Sequence, residues 1–185
     1  MKHTVGPAVL LAISCAATSA QAQNLKPGLW EINSTMQSDS GEMEKSIADM
    51  QKQMAAMPPE QRQIMQEMMA RQGVRMGSSG PGAIDIKVCM TREMVERNEI
   101  ATPQGDCKNT YAPRSGNAMK MSFVCTDPPS SGEGQVNFLN PQAYTTKLTV
   151  NTRVNGKDEK VSMDGQAKWL ASECGTIKPL GSVKK

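Results

Sequence analysis

The chain has 185 residues, 38% hydrophobic and only 3% aromatic, with a formal net charge of +3 at pH 7. That length suits one domain with a core of its own. A near-neutral balance without a basic run argues against nucleic acid as a partner, and the closing Lys184-Lys185 reads as a solvated tail.

The N-terminus reads as a targeting segment. Lys2 and His3 make a short basic start, Val5 to Ile13 is an apolar core, and Ala20-Gln21-Ala22 is a small-x-small cleavage signal. Residues 1–22 are therefore expected to be a signal peptide, and the mature chain to begin at Gln23. The apolar run is shorter than the roughly 20 residues a bilayer span needs. The alternative is lipidation at Cys15, but Ala12-Ile13-Ser14 fits a lipoprotein signal poorly. His3 is the only histidine and leaves with the signal, so a Ser-His or Cys-His nucleophile pair is excluded from the mature chain.

The first strand is expected after the turn Lys26-Pro27-Gly28. Trp30, Ile32, Ser34 and Met36 alternate with polar residues, a period of two that turns Trp30 toward the core. Asp39-Ser40-Gly41 ends the strand and can cap a helix. Residues 42–73 then form a methionine-rich insert. Met43, Ile47, Met50, Met54 and Met57 make a narrow helical stripe, and Pro58-Pro59 stops it. A second helix with Ile64, Met65, Met68 and Met69 on one face runs to a cap at Gly73. The expectation is a helical hairpin with facing methionine stripes. Met76 to Gly82 reads as a linker.

The remainder reads as short strands and turns. Ile84, Ile86, Val88 and Met90 alternate along a strand, and Thr91 caps a short helix that turns Met94 and Val95 inward. Pro103-Gln104-Gly105 returns the chain to Cys107. Further strands are predicted over 107–112, 117–125, 134–139, 143–154 and 160–170, with Asn155-Gly156 the strongest hairpin turn. Met119, Met121, Phe123 and Cys125 share one face, as do Tyr144, Thr146, Leu148 and Val150, and Val161, Met163, Ala167 and Trp169. One buried face and one wet face mark an antiparallel sheet. The predicted fold class is α+β: an antiparallel β-meander, open or curled, with an inserted Met-rich helical hairpin and one short helix, all in a single domain over 23–185.

Four cysteines remain after cleavage: Cys89, Cys107, Cys125 and Cys174. An even number in an exported chain argues for two disulfides, and no C-x-x-C spacing supports a redox or zinc site. Three pairings exist, and the favoured one is Cys89–Cys107 with Cys125–Cys174.

Several marks together resemble a known family. Lys26-Pro27-Gly28-Leu29-Trp30-Glu31 after an export signal, Val88-Cys89-Met90-Thr91, Gly105-Asp106-Cys107, and Trp169-Leu170 before Glu173-Cys174-Gly175 are similar to the proteobacterial family called domain of unknown function 3617. The segment Pro58-Pro59-Glu60-Gln61-Arg62 resembles inserts in its members. The resemblance spans nearly the whole mature chain. It implies a small periplasmic or secreted β-rich protein, with no activity and no catalytic residues to carry over.

No spacing pairs Glu31, Asp85 and Asp106 into an acid–base site, and surface carboxylates are ordinarily solvated. No glycine-rich phosphate motif occurs, no resident cofactor or metal is implied, and no enzymatic activity is expected. The methionines carry the expectation instead. A protein, peptide or lipid partner is expected to bind through the Met-rich hairpin or the sheet, with Met50, Met54, Met57, Met65, Met68 and Met69 as the partner-binding residues, because methionine is adaptable and over-used at promiscuous surfaces. The alternative is Cu(I) binding by the same soft thioethers. The expected place is the periplasm or the exterior, and the oligomeric state is open.

Overall fold

A computed structural model of the chain describes residues 24–76, 83–100, 106–154 and 156–179. The elements in chain order are β1 (Gly28–Ser38), α1 (Glu42–Ala56), α2 (Pro59–Arg71), β2 (Val74–Met76) and β3 (Ala83–Met90). Then come α3 (Arg92–Glu96), β4 (Cys107–Tyr111), β5 (Ala118–Thr126), β6 (Pro129–Asn140), β7 (Ala143–Val154) and β8 (Lys157–Ala171). All eight strands form one antiparallel sheet in the order β2-β3-β1-β8-β7-β6-β5-β4, open between its two edge strands. The fold class is thus α+β, as the alternation predicts. β4 to β8 are the expected meander. The expected first strand, β1, lies between β3 and β8 and so joins β2 and β3 to the meander.

The period-two pattern works because the registers carry one face across the sheet. Ile32 stands opposite Ile86 and Ala167, Ala167 opposite Tyr144, Tyr144 opposite Phe138, and Val136 opposite Met119. Trp30, Val88, Met119, Val136, Phe138, Tyr144 and Ala167 form one buried cluster, which Met90, and Val95 and Ile100 from α3 and beyond, complete. Trp30 and Tyr144 meet with ring centroids 5.3 Å apart. Each large apolar side chain buried in this way contributes roughly 1.5–3 kcal/mol. Thr91 caps α3 by accepting the Met94 N–H at 3.2 Å, and Met94 and Val95 are buried as expected.

Three boundaries differ from the sequence reading. β2 precedes the expected linker, since Val74-Arg75-Met76 is too short to show a period. The described part of that linker is Met76 alone, which ends β2. β6 begins at Pro129, which already pairs with Thr126 of β5. β8 begins at Lys157, paired with Val154, with Gly156 at φ +80°; Asn155 lies outside the described residues, as does the turn expected at Pro103-Gln104-Gly105.

The favoured disulfide pairing is corrected. Cys89 bonds Cys174 and Cys107 bonds Cys125. Cys107 and Cys125 face each other directly across β4 and β5, with Cα atoms 3.9 Å apart. The bond from Ala112 N–H to the Lys120 carbonyl makes theirs one of the closer, non-hydrogen-bonded pairs of that ladder. Cys89 sits at the end of β3, where Pro179 bridges to it and brings the C-terminal segment alongside. The sequence reading lacked the strand order that creates both meetings.

Candidate methionine-lined cleft

α1 and α2 are the part of the fold that does not belong to the core. Neither helix contains a buried residue. α1 starts where β1 ends, and its first turn is anchored there. The Ser38 N–H donates to Glu44 Oε1 at 2.7 Å, and the Ser38 hydroxyl donates to Glu44 Oε2. The Ser38 hydroxyl bond, with the backbone donors, holds the Glu44 carboxyl below the usual carboxylate range. Gly41 at the N-cap supplies no side-chain cap, but the Glu42 N–H donates to the Ser40 hydroxyl at 3.1 Å. The Ser40 N–H in turn donates to Glu159 Oε1 at 2.9 Å, which ties the helix start to β8.

Met57 is extended, at ψ 149°, and Pro58 has ψ 144°, so the chain leaves the helical conformation for two residues between α1 and α2. The expected facing stripes are realised only in part. Met54 and Met69 come together with Ala70 and Val74 in a cleft of 420 Å³ between α1, α2 and β2, rimmed by Gln63, Gln66, Glu67 and Arg75. Met57 is half-buried outside that lining, while Met50, Met65 and Met68 are 46%, 40% and 57% exposed. Ile64, on the same helix as the last two, is 60% exposed. On α2, Ile64, Met65 and Met68 thus share one solvent-facing side, and the opposite side lines the cleft. β2 and Arg75 were not foreseen as part of it, and three residues of alternation carry no signal strong enough to find them.

The motif residues have structural work. The Trp30 and Trp169 indole N–H groups donate to consecutive carbonyls, Lys26 at 2.9 Å and Pro27 at 3.0 Å. Lys26 Nζ lies 4.9 Å from the Trp169 ring centroid, and the Lys26 N–H donates to the Pro141 carbonyl at 2.8 Å. The turn Lys26-Pro27-Gly28 is thereby clamped between the first and last strands. Cys89 and Cys174 form a disulfide, Met90 is buried, and Thr91 caps α3.

The carboxylates singled out in the sequence do not converge. Glu31 pairs with Lys168 at 3.7 Å, Asp85 accepts from Asn33 Nδ2 at 2.7 Å, and the Asp106 carbonyl accepts from the Thr126 N–H at 3.0 Å. Among the described residues no three His, Cys, Asp or Glu side chains come close enough to share a metal ion. A second concavity of 720 Å³ lies on the outer face of β4 to β8. Thr110, Lys120, Ser122, Glu133, Gln135, Lys147, Thr149 and Asp164 line it. It is broad and mixed in character, with Met121, Leu148 and Met163 also in its lining, and its one ion pair among the described residues, Lys147–Asp164 at 3.7 Å, is solvent-exposed. No helix among the described residues is long and apolar enough to cross a membrane.

Residues 25–174 match the family model described as protein of unknown function (DUF3617). A Pseudomonas putida protein described as "Uncharacterized protein in lpd-3 5'region" is 34% identical over 143 residues, covering 76% of this chain and 96% of that protein. No solved structure matches.

Proposed function

Because the chain belongs to the DUF3617 family, whose description assigns no activity, we propose from its own surface that it is a non-catalytic, extracytoplasmic binding protein. Its Met-rich helical arm engages a partner's apolar surface. The observation that carries this reading is the exposure of Met50, Ile64, Met65 and Met68, the last three on one face of α2, opposite the face that lines the cleft of Met54 and Met69. An exposed cluster of that kind is a recurrent mark of an interaction site. The unbranched, polarizable thioether adapts to varied contours, which suits a binding surface better than a fixed core.

The two disulfides fit an oxidising, extracytoplasmic location. The finer reading is a periplasmic protein cleaved after Ala22, a region outside the described residues. N-terminal sequencing of protein from the cell-envelope fraction tests it: Gln23 first supports the reading, and a lipid-modified Cys15 overturns it.

The binding reading is tested with a photo-crosslinking residue at position 65 or 68 in intact cells, against a control at exposed position 162. Discrete polypeptide adducts are expected at the arm alone, and they should vanish when Met50 and Ile64 are changed to Gln with the thermal transition unchanged. Adducts no stronger than the control sink the proposal, and adducts to lipid alone redirect it to a membrane surface. Cu(I) handling is the second reading, favoured by the entry of Met54 and Met69 into one cleft from two helices. An anaerobic Cu(I) titration decides it: stoichiometric binding lost on Met54→Leu and Met69→Leu supports copper, because Leu keeps the volume and removes the sulfur.

A further inference from the structure

The cleft has a sheet edge for one wall, and that edge has a definite chemistry. Among the described residues β2 is the outermost strand, paired with β3 on one side only, in the register Val74–Ile86, Arg75–Asp85 and Met76–Ile84. One pair earlier, the Lys87 N–H donates to the Gly73 carbonyl at 2.6 Å. Hydrogen-bonded and non-hydrogen-bonded pairs alternate along an antiparallel ladder. Arg75 therefore bonds inward to Asp85, and the N–H and C=O groups of Val74 and Met76 point out of the sheet. The other edge differs. At β4, the Tyr111 hydroxyl donates to the Ile100 carbonyl at 3.3 Å, which brings the segment after α3 to a side chain of that strand. Beside β2 lies the cleft itself.

We propose that this edge and cleft bind an extended peptide by strand addition. The peptide backbone pairs with Val74 and Met76, an apolar side chain enters between Met54 and Met69, and an acidic group meets Arg75. The outward backbone groups select the occupant, since an extended chain supplies alternating donors and acceptors at strand spacing and a lipid tail or a helix does not. Arg75, exposed and without an ion pair among the described residues, is the group at this edge that can meet an acid; Glu67 in the same lining accepts from Gln63 Nε2 at 2.9 Å and keeps its negative charge. The thioethers of Met54 and Met69 accommodate apolar side chains of several shapes, so the backbone and the acid set the specificity.

The inference rests on the binding reading above and narrows its ligand. The probe is a phage-displayed library of random octapeptides, panned against the full chain with both disulfides intact. Selected peptides are expected to alternate apolar and polar residues and to carry Asp or Glu. Resynthesised with N-methyl groups on the amides facing β2, they should bind at least tenfold more weakly. The same modification on the amides facing away should change little. Arg75→Glu should reverse the preference from acidic to basic peptides. Because the N-methyl test alters only the peptide, it does not depend on a variant folding. An empty library, binders indifferent to N-methylation in both registers, or an acidic preference that survives Arg75→Glu overturns strand addition. Peptides that ignore N-methylation yet lose affinity on Met50, Met65 and Met68→Gln overturn this inference alone. In that case the adhesive methionine surface remains.

Discussion

At the scale of single residues, two positions in the sheet stand out. The Tyr144 hydroxyl is buried with no hydrogen-bond partner among the described residues, and the residue is only 1% exposed. A buried unpaired hydroxyl costs about 1–3 kcal/mol, whereas an apolar group of the same shape does not. Tyr144→Phe is therefore expected to hold or raise the melting temperature, by a few degrees at most. Burial also pushes the Tyr144 phenol above its ordinary range. The folded chain keeps a proton that the unfolded chain gives up, so stability falls as pH rises past the ordinary phenol range. Tyr144→Phe should remove that part of the alkaline decline, and melts across alkaline pH check both effects. Lower stability in the variant would refute the unpaired hydroxyl. Gly28 is the opposite case. Its φ is +129°, and a Cβ there would stand 2.2 Å from the Ala171 carbonyl oxygen, a backbone atom that cannot rotate aside. Gly28→Ala should cost about 2–4 kcal/mol in denaturant unfolding, and a neutral result would deny the close approach of β1 to β8.

At the scale of elements, the joints hold testable chemistry. The Glu44 carboxylate ties α1 to the end of β1, and its lowered pKa fixes the sign. Its contribution is complete above the ordinary glutamate range. It is lost as pH falls below that range and through the lowered folded value. An NMR titration of the Ser38 amide should show a midpoint below the ordinary glutamate range, absent in Glu44→Gln; a midpoint at the ordinary value would remove the anchor. The disulfides separate by loop length. Cys89–Cys174 closes 85 residues and Cys107–Cys125 closes 18. Replacing the first pair by Ala should cost about 4.5 kcal/mol and the second about 3. Equal costs in denaturant unfolding would show that unfolded-state entropy is not what distinguishes them. Alternation made these strands legible: Met119, Met121, Phe123 and Cys125 are buried on one face as their spacing implies. The pairing of the cysteines was not legible, because period two gives a strand's face but not its neighbour. Only the insertion of β1 between β3 and β8 brings the C-terminal segment to Cys89.

At the scale of the whole molecule, the chain divides into a sheet that makes its own core and an arm that adds little to it. The division was partly readable, since methionine in nearly every stripe position and two prolines mark a segment poor in fixed packing. What the stripes could not show was their direction. Periodicity gives a helix an apolar face but no tertiary partner, and Ile64, Met65 and Met68 face solvent. The arm touches the sheet mainly where α1 leaves β1 and α2 enters β2, and the buried cluster draws no residue from either helix. Ordering methionine costs up to about 1.5–2 kcal/mol of side-chain entropy, which half-exposed packing recovers poorly. Replacing Glu42 to Gly73 by a short Gly-Ser bridge should therefore leave a folded β protein. Both disulfides should be intact and the thermal transition cooperative, and the loss should fall on β2 pairing and partner binding. The structure supplies the reason: Trp30, Tyr144, Val136 and Met90, the largest fully buried side chains, all lie outside the excised segment. Non-reducing peptide maps and calorimetry of the shortened chain decide the matter. Scrambled disulfides or a non-cooperative melt would make the helices part of the core and deprive the binding surface of its independence.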